Sequence, residues 1–454
     1  MFIKNTFYLG TLLFSSLILY FLIGFFIPRE EFFNLIISFF FLFIFQFYFL
    51  RKEINLKSIF ILGLVFRLTL IISIPQLSQD FYRFIWDGSI QILGINPYLY
   101  RPETLINFVQ FPLSDLLFSK MGNLSVINFS NYPPISQYIY YIAGYFNNGD
   151  ITKPLITIRI IYLISEIILF FGVKNLLIKL DKNPLLIGWY YLNPMIIIET
   201  IGNLHGELLM ILFLIFSLFY LFEKKIFLSS FFMSLSIATK LLPILIVPIF
   251  INYLGIRKFI YFFIYLIIFS CLIWFPLLEE KVLLNFSNTI SLWFTSFEFN
   301  GSIYYIIRYL GYKIFGYNII KTISLFTPFI IIILVCFIAF YKTNNNKSIL
   351  LKNILLIYSM YFFISTTIHP WYIINLVIIS IFTGYLYPII WSFTCLLSYS
   401  AYKNLGFEEE PLLILIEYLI VFGFFIYEFK KKPLLKHIHK INFRDFKSSP
   451  FSSR

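Results

Sequence analysis

Residues 78–101 read SQDFYRFIWDGSIQILGINPYLYR, from Ser78 to Arg101, and hold two acids, two arginines and a Gly-Ile-Asn-Pro-Tyr turn. The stretch is too polar to cross a membrane, yet it sits in a chain of 454 residues that is 60% hydrophobic. Working outward from it, apolar runs of about 20 residues recur in both directions, the length an α-helix needs to cross a bilayer. Composition and run length together predict an all-α integral membrane protein, a polytopic helical bundle of about 12–14 transmembrane helices with short surface helices in the first outer loop.

The order of charges orients this bundle. Apolar runs cover 7–27, 32–50 and 58–75, and Arg51, Lys52 and Lys57 follow the second of them. Short basic loops stay on the cytoplasmic side, so both termini are expected there and the segment 76–134 is expected outside. Pro97, Pro102, Pro112, Pro133 and Pro134 divide that first outer loop into short pieces. On a helix over 80–91, Asp80, Arg83, Asp87 and Gln91 recur at three or four residues and share one face. The stretch 135–146 behind Asn131-Tyr132-Pro133-Pro134 is too short to span, and is expected to dip into the outer leaflet or pack on the bundle.

Further along, Lys240 and Pro243 interrupt a run too long for one span, which puts Lys240 near the outer mouth. A second outer segment covers 279–321, and His369-Pro370-Trp371-Tyr372 lies at the outer end of a later span. The whole of 1–429 reads as one membrane domain and 430–454 as a basic cytoplasmic tail. This style of sequence is expected in a bacterial inner membrane, with the active site facing the periplasm or exterior.

Several classes of function drop out. The net charge of +13 arises from Lys and Arg gathered in short loops and the tail, which points to anionic membrane lipids as partners and not to nucleic acid. Cys271, Cys336 and Cys395 each lie within an apolar run without ligand spacing. No Gly-rich nucleotide loop is present, so an activated substrate is expected to arrive through the lipid. With 60 Phe and 33 Tyr, aromatic stripes carry little information.

The unusual polar residues all fall on the outer side in this topology, where charges at membrane depth would be costly unless they face a wet cavity. Each has a plain alternative. Asp80 either caps a surface helix and pairs with Arg83 or acts as a general base, and Asp87 either caps or holds Arg83. His205 and Glu207 mark a helix junction or hold substrate. Lys240 either snorkels to head groups or meets a lipid phosphate. His369, Trp371 and Tyr372 form an aromatic belt or bind substrate. No HxH, HxxxH or DxD spacing marks a metal site, although two outer histidines and several acids leave a divalent cation (Mg or Mn) possible. A transporter or flippase of lipid-linked sugar is the alternative function. It would place charges near the midplane of two repeated halves.

Asp80-Phe-Tyr-Arg-Phe-Ile-Trp-Asp-Gly88 with Gly94-Ile-Asn-Pro-Tyr98 resembles the first outer loop of the integral-membrane GT-C glycosyltransferases, polyprenol-phosphate-dependent mannosyltransferase-like proteins above all. Asn131-Tyr-Pro-Pro134, Asn203-Leu-His-Gly-Glu207, Ala238-Thr-Lys-Leu-Leu-Pro243 and His369-Pro-Trp-Tyr372 follow in the order expected of that family. The resemblance spans about residues 60–375. It implies a hexosyltransferase that moves a sugar, with inversion, from a polyprenyl-phosphate donor to a glycan or glycolipid acceptor. Mannose is the sugar suggested. An acid of the first outer loop would be the catalytic base, Asp80 first and Asp87 second. Arg83 and Lys240 would hold the donor phosphate; Tyr132, His205, Glu207, His369, Trp371 and Tyr372 would line the substrate site. Trp371, Tyr372 or Trp86 would stack on a sugar ring.

Overall fold

A computed structural model describes residues 2–51, 54–341, 346–403 and 406–435. Most of the basic tail, 436–454, lies outside the described residues, as does Lys52. Among the described residues every regular element is helical, and one isolated parallel bridge joins Phe299 to Thr367.

Six helices are long and apolar enough to cross a membrane: Phe32–Arg51, Thr152–Lys179, Ile256–Leu277, Ile320–Phe340, Lys347–Ile364 and Pro411–Lys430. A bent pair, Pro184–Tyr191 and Pro194–Gly202, meets at 60° and makes a seventh. The other apolar runs fold as helices of 10–17 residues, shorter than the spans expected from hydropathy. Proline and glycine explain much of the shortening. Gly384 (φ 87°) separates Ile374–Thr383 from Tyr387–Thr394. Part of the lost length is recovered by 3-10 turns, which rise more steeply: Tyr387–Thr394 followed by Cys395–Tyr402 extends about 28 Å.

Two buried arginines join these pieces. Arg159 on Thr152–Lys179 donates to the carbonyl oxygens of Ile201 (2.8 Å), Gly202 (2.9 Å), Ile71 (3.2 Å) and Ser73. These carbonyls close the broken helix and the chain before Asp80. In an apolar surround they need a donor from the protein itself. Arg67 lies 3.2 Å from Glu166, both fully buried, and also donates to the carbonyls of Gly63 and Tyr191. The pair holds Leu56–Leu68 against Thr152–Lys179, and its mutual neutralisation is what makes two charges tolerable there.

The segment 76–134, expected as an outer loop, packs into the bundle. Its helix Asp80–Ile92 is enclosed by Pro134–Gly144 and Ser114–Lys120 and buries Phe81 and every residue from Arg83 to Ile90. It is thus a core element rather than a helix lying on the membrane surface, because its polar face is satisfied from within the loop. Of the two fates expected for 135–146, packing on the bundle is the one seen. Gly88 and Gly144 permit the close crossing: a Cβ on Gly88 would stand 1.9 Å from the carbonyl oxygen of Tyr140. Gly88→Ala is therefore expected to force the two helices apart, at a cost of about 1–3 kcal/mol. A lowered thermal midpoint of purified protein in detergent checks this.

The Asn-Pro-Tyr turn has a docking role. Asn96 donates to the carbonyl of Leu277 and to Glu279 (2.9 Å each), and Asn285 donates to the carbonyl of Tyr98 (3.0 Å). The Tyr98 ring is buried among Val282, Phe286 and Trp274, while its hydroxyl donates to the carbonyl of Tyr132 at 2.6 Å. Through this turn the first outer loop clasps the second outer segment.

Candidate active site

Where the outer segments converge, a cavity of about 360 Å³ opens between the acidic loop, the Lys240 break and the chain around His369. That is within the range of small-molecule sites. Eight of the residues expected at a site line it: Asp80, Arg83, Tyr132, Glu207, Lys240, His369, Trp371 and Tyr372. Asp87 and His205 do not.

Asp80 starts its helix half-buried on the cavity wall, and among the described residues its carboxylate has no hydrogen bond or ion pair. Its backbone N–H, by contrast, donates to Ser78 (3.3 Å). Burial pushes the carboxyl up to about 6; Lys240 and Arg29 oppose this and Glu207 adds to it. The expected pairing of Asp80 with Arg83 is absent because Arg83 is committed elsewhere. Its Nε donates to Asp87 at 2.6 Å, and its Nη1 to the carbonyls of Ser125 and Asn128.

Asp87 itself is fully buried and accepts three bonds, from Arg83, from Ser130 (2.6 Å) and from Gln137 (2.9 Å). It has no face toward the cavity. Asp87 and Arg83 therefore build the wall around Asp80, and of the two acids expected as base only Asp80 lines the cavity.

The second lining acid, Glu207, is paired with Lys240, whose Nζ also lies 5.7 Å from the Tyr372 ring. The Lys240 break forms because the helix Ile226–Ile237 ends before Pro243, and a 3-10 segment, Leu242–Ile249, takes over. Here the sequence placed a cation correctly beside the acid loop. It passed over a second cation, Arg29, which also lines the cavity, with its guanidinium 4.3 Å from the Tyr402 ring and its Nε 3.4 Å from the exposed Glu30. Arg29 lies in the short loop between the apolar runs 7–27 and 32–50.

Four rings stack along one wall. Phe299 lies 4.7 Å from His369, His369 lies 4.2 Å from Trp371, and Trp371 lies 3.7 Å from His205, all centroid distances at interplanar angles below 30°. Trp371 thus has an imidazole on each face and meets the cavity by its edge. Both imidazoles stand where a sugar ring would otherwise stack on Trp371. Trp86 is no alternative, being fully buried against Phe111 and Phe118. His205 is covered by Trp371 and supports the wall from behind. Burial and the charge of Lys240 hold the His369 imidazole down at about 3, and burial lowers His205 well below its ordinary value. Both are neutral hydrogen-bonding groups near pH 7.

Tyr399 and Tyr402, on the 3-10 segment Cys395–Tyr402, complete the wall, together with Thr366, Thr367 and Asn375. These come from runs that read as featureless spans. Among the described residues no three His, Cys, Asp or Glu side chains come together as metal ligands would.

Residues 33–255 match a family model described as alpha-(1->6)-mannopyranosyltransferase, N-terminal domain. The match contains Asp80, Arg83, Glu207 and Lys240; His369, Trp371 and Tyr399 lie beyond it. No curated protein matches the chain.

Proposed function

We propose, from the match of residues 33–255 to the alpha-(1->6)-mannopyranosyltransferase N-terminal domain model, that the chain is a membrane glycosyltransferase in which Asp80 is the general base of mannosyl transfer from a polyprenyl-phosphate donor. The observation that carries the reading is the contrast between the two lining acids: Glu207 is neutralised by Lys240, whereas Asp80 stands unpaired beside two cations. An unpaired, half-buried carboxylate with a raised pKa is the kind of group general-base catalysis requires.

The donor's phosphate lies against Lys240 and Arg29. The acceptor hydroxyl oxygen attacks the anomeric carbon, Asp80 takes its proton, and the bond from that carbon to the phosphate oxygen breaks. Polyprenyl phosphate leaves with the bonding electrons, and Lys240 and Arg29 stabilise the charge that develops on it. Attack opposite the leaving phosphate inverts the anomeric carbon. A glycan or glycolipid supplies the hydroxyl at the outer face of a bacterial inner membrane, with both termini cytoplasmic. Arg83, which lines the cavity, also shapes its wall through Asp87 and the 125–128 loop.

The test is transfer of mannose from synthetic polyprenyl-phosphate mannose by purified protein, with product linkage determined. Arg29→Ala and Lys240→Ala are each expected to raise the donor KM about tenfold to a hundredfold, the loss of a charge-assisted bond of about 1.5–3 kcal/mol. An unchanged KM in both variants removes the phosphate assignment. Movement of lipid-linked sugar across liposomes by a wild type that transfers none would replace the enzyme by a flippase.

A further inference from the structure

Glu199 is a fully buried acid that lies behind the cavity wall and is not part of its lining. It sits on the π-helical turn Ile198–Gly202, a wide turn of the kind often found at functional sites. Its Oε1 accepts the Tyr399 hydroxyl at 2.6 Å, and its Oε2 accepts Asn203 Nδ2 at 3.1 Å and lies 3.4 Å from His205 Nε2. Asn203 Oδ1 in turn accepts the backbone N–H of Leu77 at 3.3 Å, three residues before Asp80. Tyr399 and Leu77 line the cavity, and His205 supports Trp371. Through these bonds one carboxylate joins two walls of the site, the loop to Asp80 and the Cys395–Tyr402 segment, while the backbone N–H of His205 donates to the Glu199 carbonyl oxygen at 3.1 Å.

We propose that Glu199 is a positioning residue for the transfer reaction, holding the Asp80 loop and the Tyr399 hydroxyl in one arrangement. The proposal rests on the glycosyltransferase reading of the cavity. A buried acid with both oxygens occupied is suited to this because it accepts from several directions at once, which a neutral amide does not. In Glu199→Gln one oxygen still accepts, while the new N–H group faces either Asn203 or Tyr399. The walls then shift by a fraction of an ångström, and misplacement on that scale is costly to a reaction.

The experiment uses the full chain in detergent with polyprenyl-phosphate mannose, alongside hydrogen–deuterium exchange of the segment 75–80. Glu199→Gln is expected to lower kcat about tenfold to a hundredfold with donor KM within about threefold, and to speed exchange at the Leu77 amide. Tyr399→Phe is expected to lower kcat less, and the double variant to fall short of the product of the two effects. If Glu199→Gln does not fold, Asn203→Ser cuts the link to Leu77 alone and is read the same way. Unchanged exchange overturns the link whatever the activity. Unchanged kcat in a wild type that transfers mannose overturns the positioning role. A wild type without transfer removes the reaction, and with it that role, while faster exchange in the variant would still report the Glu199 connection itself.

Discussion

Asp80→Asn is expected to lower the rate of sugar transfer at least a hundredfold while leaving donor binding within a few-fold of wild type. General-base help is typically worth 10²- to 10⁴-fold, and asparagine keeps the shape of the side chain but has no basic oxygen. Because the Asp80 carboxylate makes no bond among the described residues, the substitution leaves none of them stranded, and the fold is expected to hold. The pH profile gives a second reading. Asp80 is raised to about 6, so it is ionised and able to take a proton above that value and protonated below it. Transfer is expected to be flat from about pH 7 upward and to fall about tenfold per unit below pH 6. This acid limb should vanish in Asp80→Asn, and a wild type equally active at pH 4.5 and 7.5 would sink the assignment.

Asp87→Ala is expected to fail in the opposite way, through the fold. The carboxylate is fully buried and compensates Arg83 at 2.6 Å while also holding Ser130 and Gln137. Removing it leaves a buried guanidinium without a counter-charge, a loss of about 3–5 kcal/mol where one partner of a buried pair is deleted. The measurement is the thermal midpoint and yield of monodisperse protein in detergent, compared with Asp87→Asn, which keeps one acceptor oxygen and should lose less. Transfer by Asp87→Ala should decline with the folded fraction. An Asp87→Ala protein as stable as wild type, yet inactive, would instead restore Asp87 as a chemical group.

These two acids show where reading the chain reached its end. Asp80 and Asp87 lie seven residues apart on one helix face, next to the same arginine, and nothing local distinguishes them. The difference comes from Ser130 and Gln137, which reach Asp87 from some 43 and 50 residues away and turn Arg83 toward it. Lys240 was legible because proline breaks helices wherever it falls, and a cation at such a break must find water, phosphate or an acid. The Trp371 edge was not legible. Whether a ring offers its face or its rim depends on what covers it, and His205 comes from a helix junction more than 160 positions earlier.

The sequence by itself determined the class of the molecule: helices long enough to cross a bilayer and an acidic loop that cannot. Those are consequences of composition and period, which are local and survive without knowledge of contacts. Only the tertiary structure decided which charges are already matched. Among the described residues it left the Asp80 carboxylate unpaired, set Arg83 against Asp87 and Lys240 beside Glu207 on the cavity wall, and brought in Arg29, Tyr399 and Glu199 from other parts of the chain. Charge neutralisation and hydrogen-bond geometry act over a few ångströms in space, and separation along the chain does not report them.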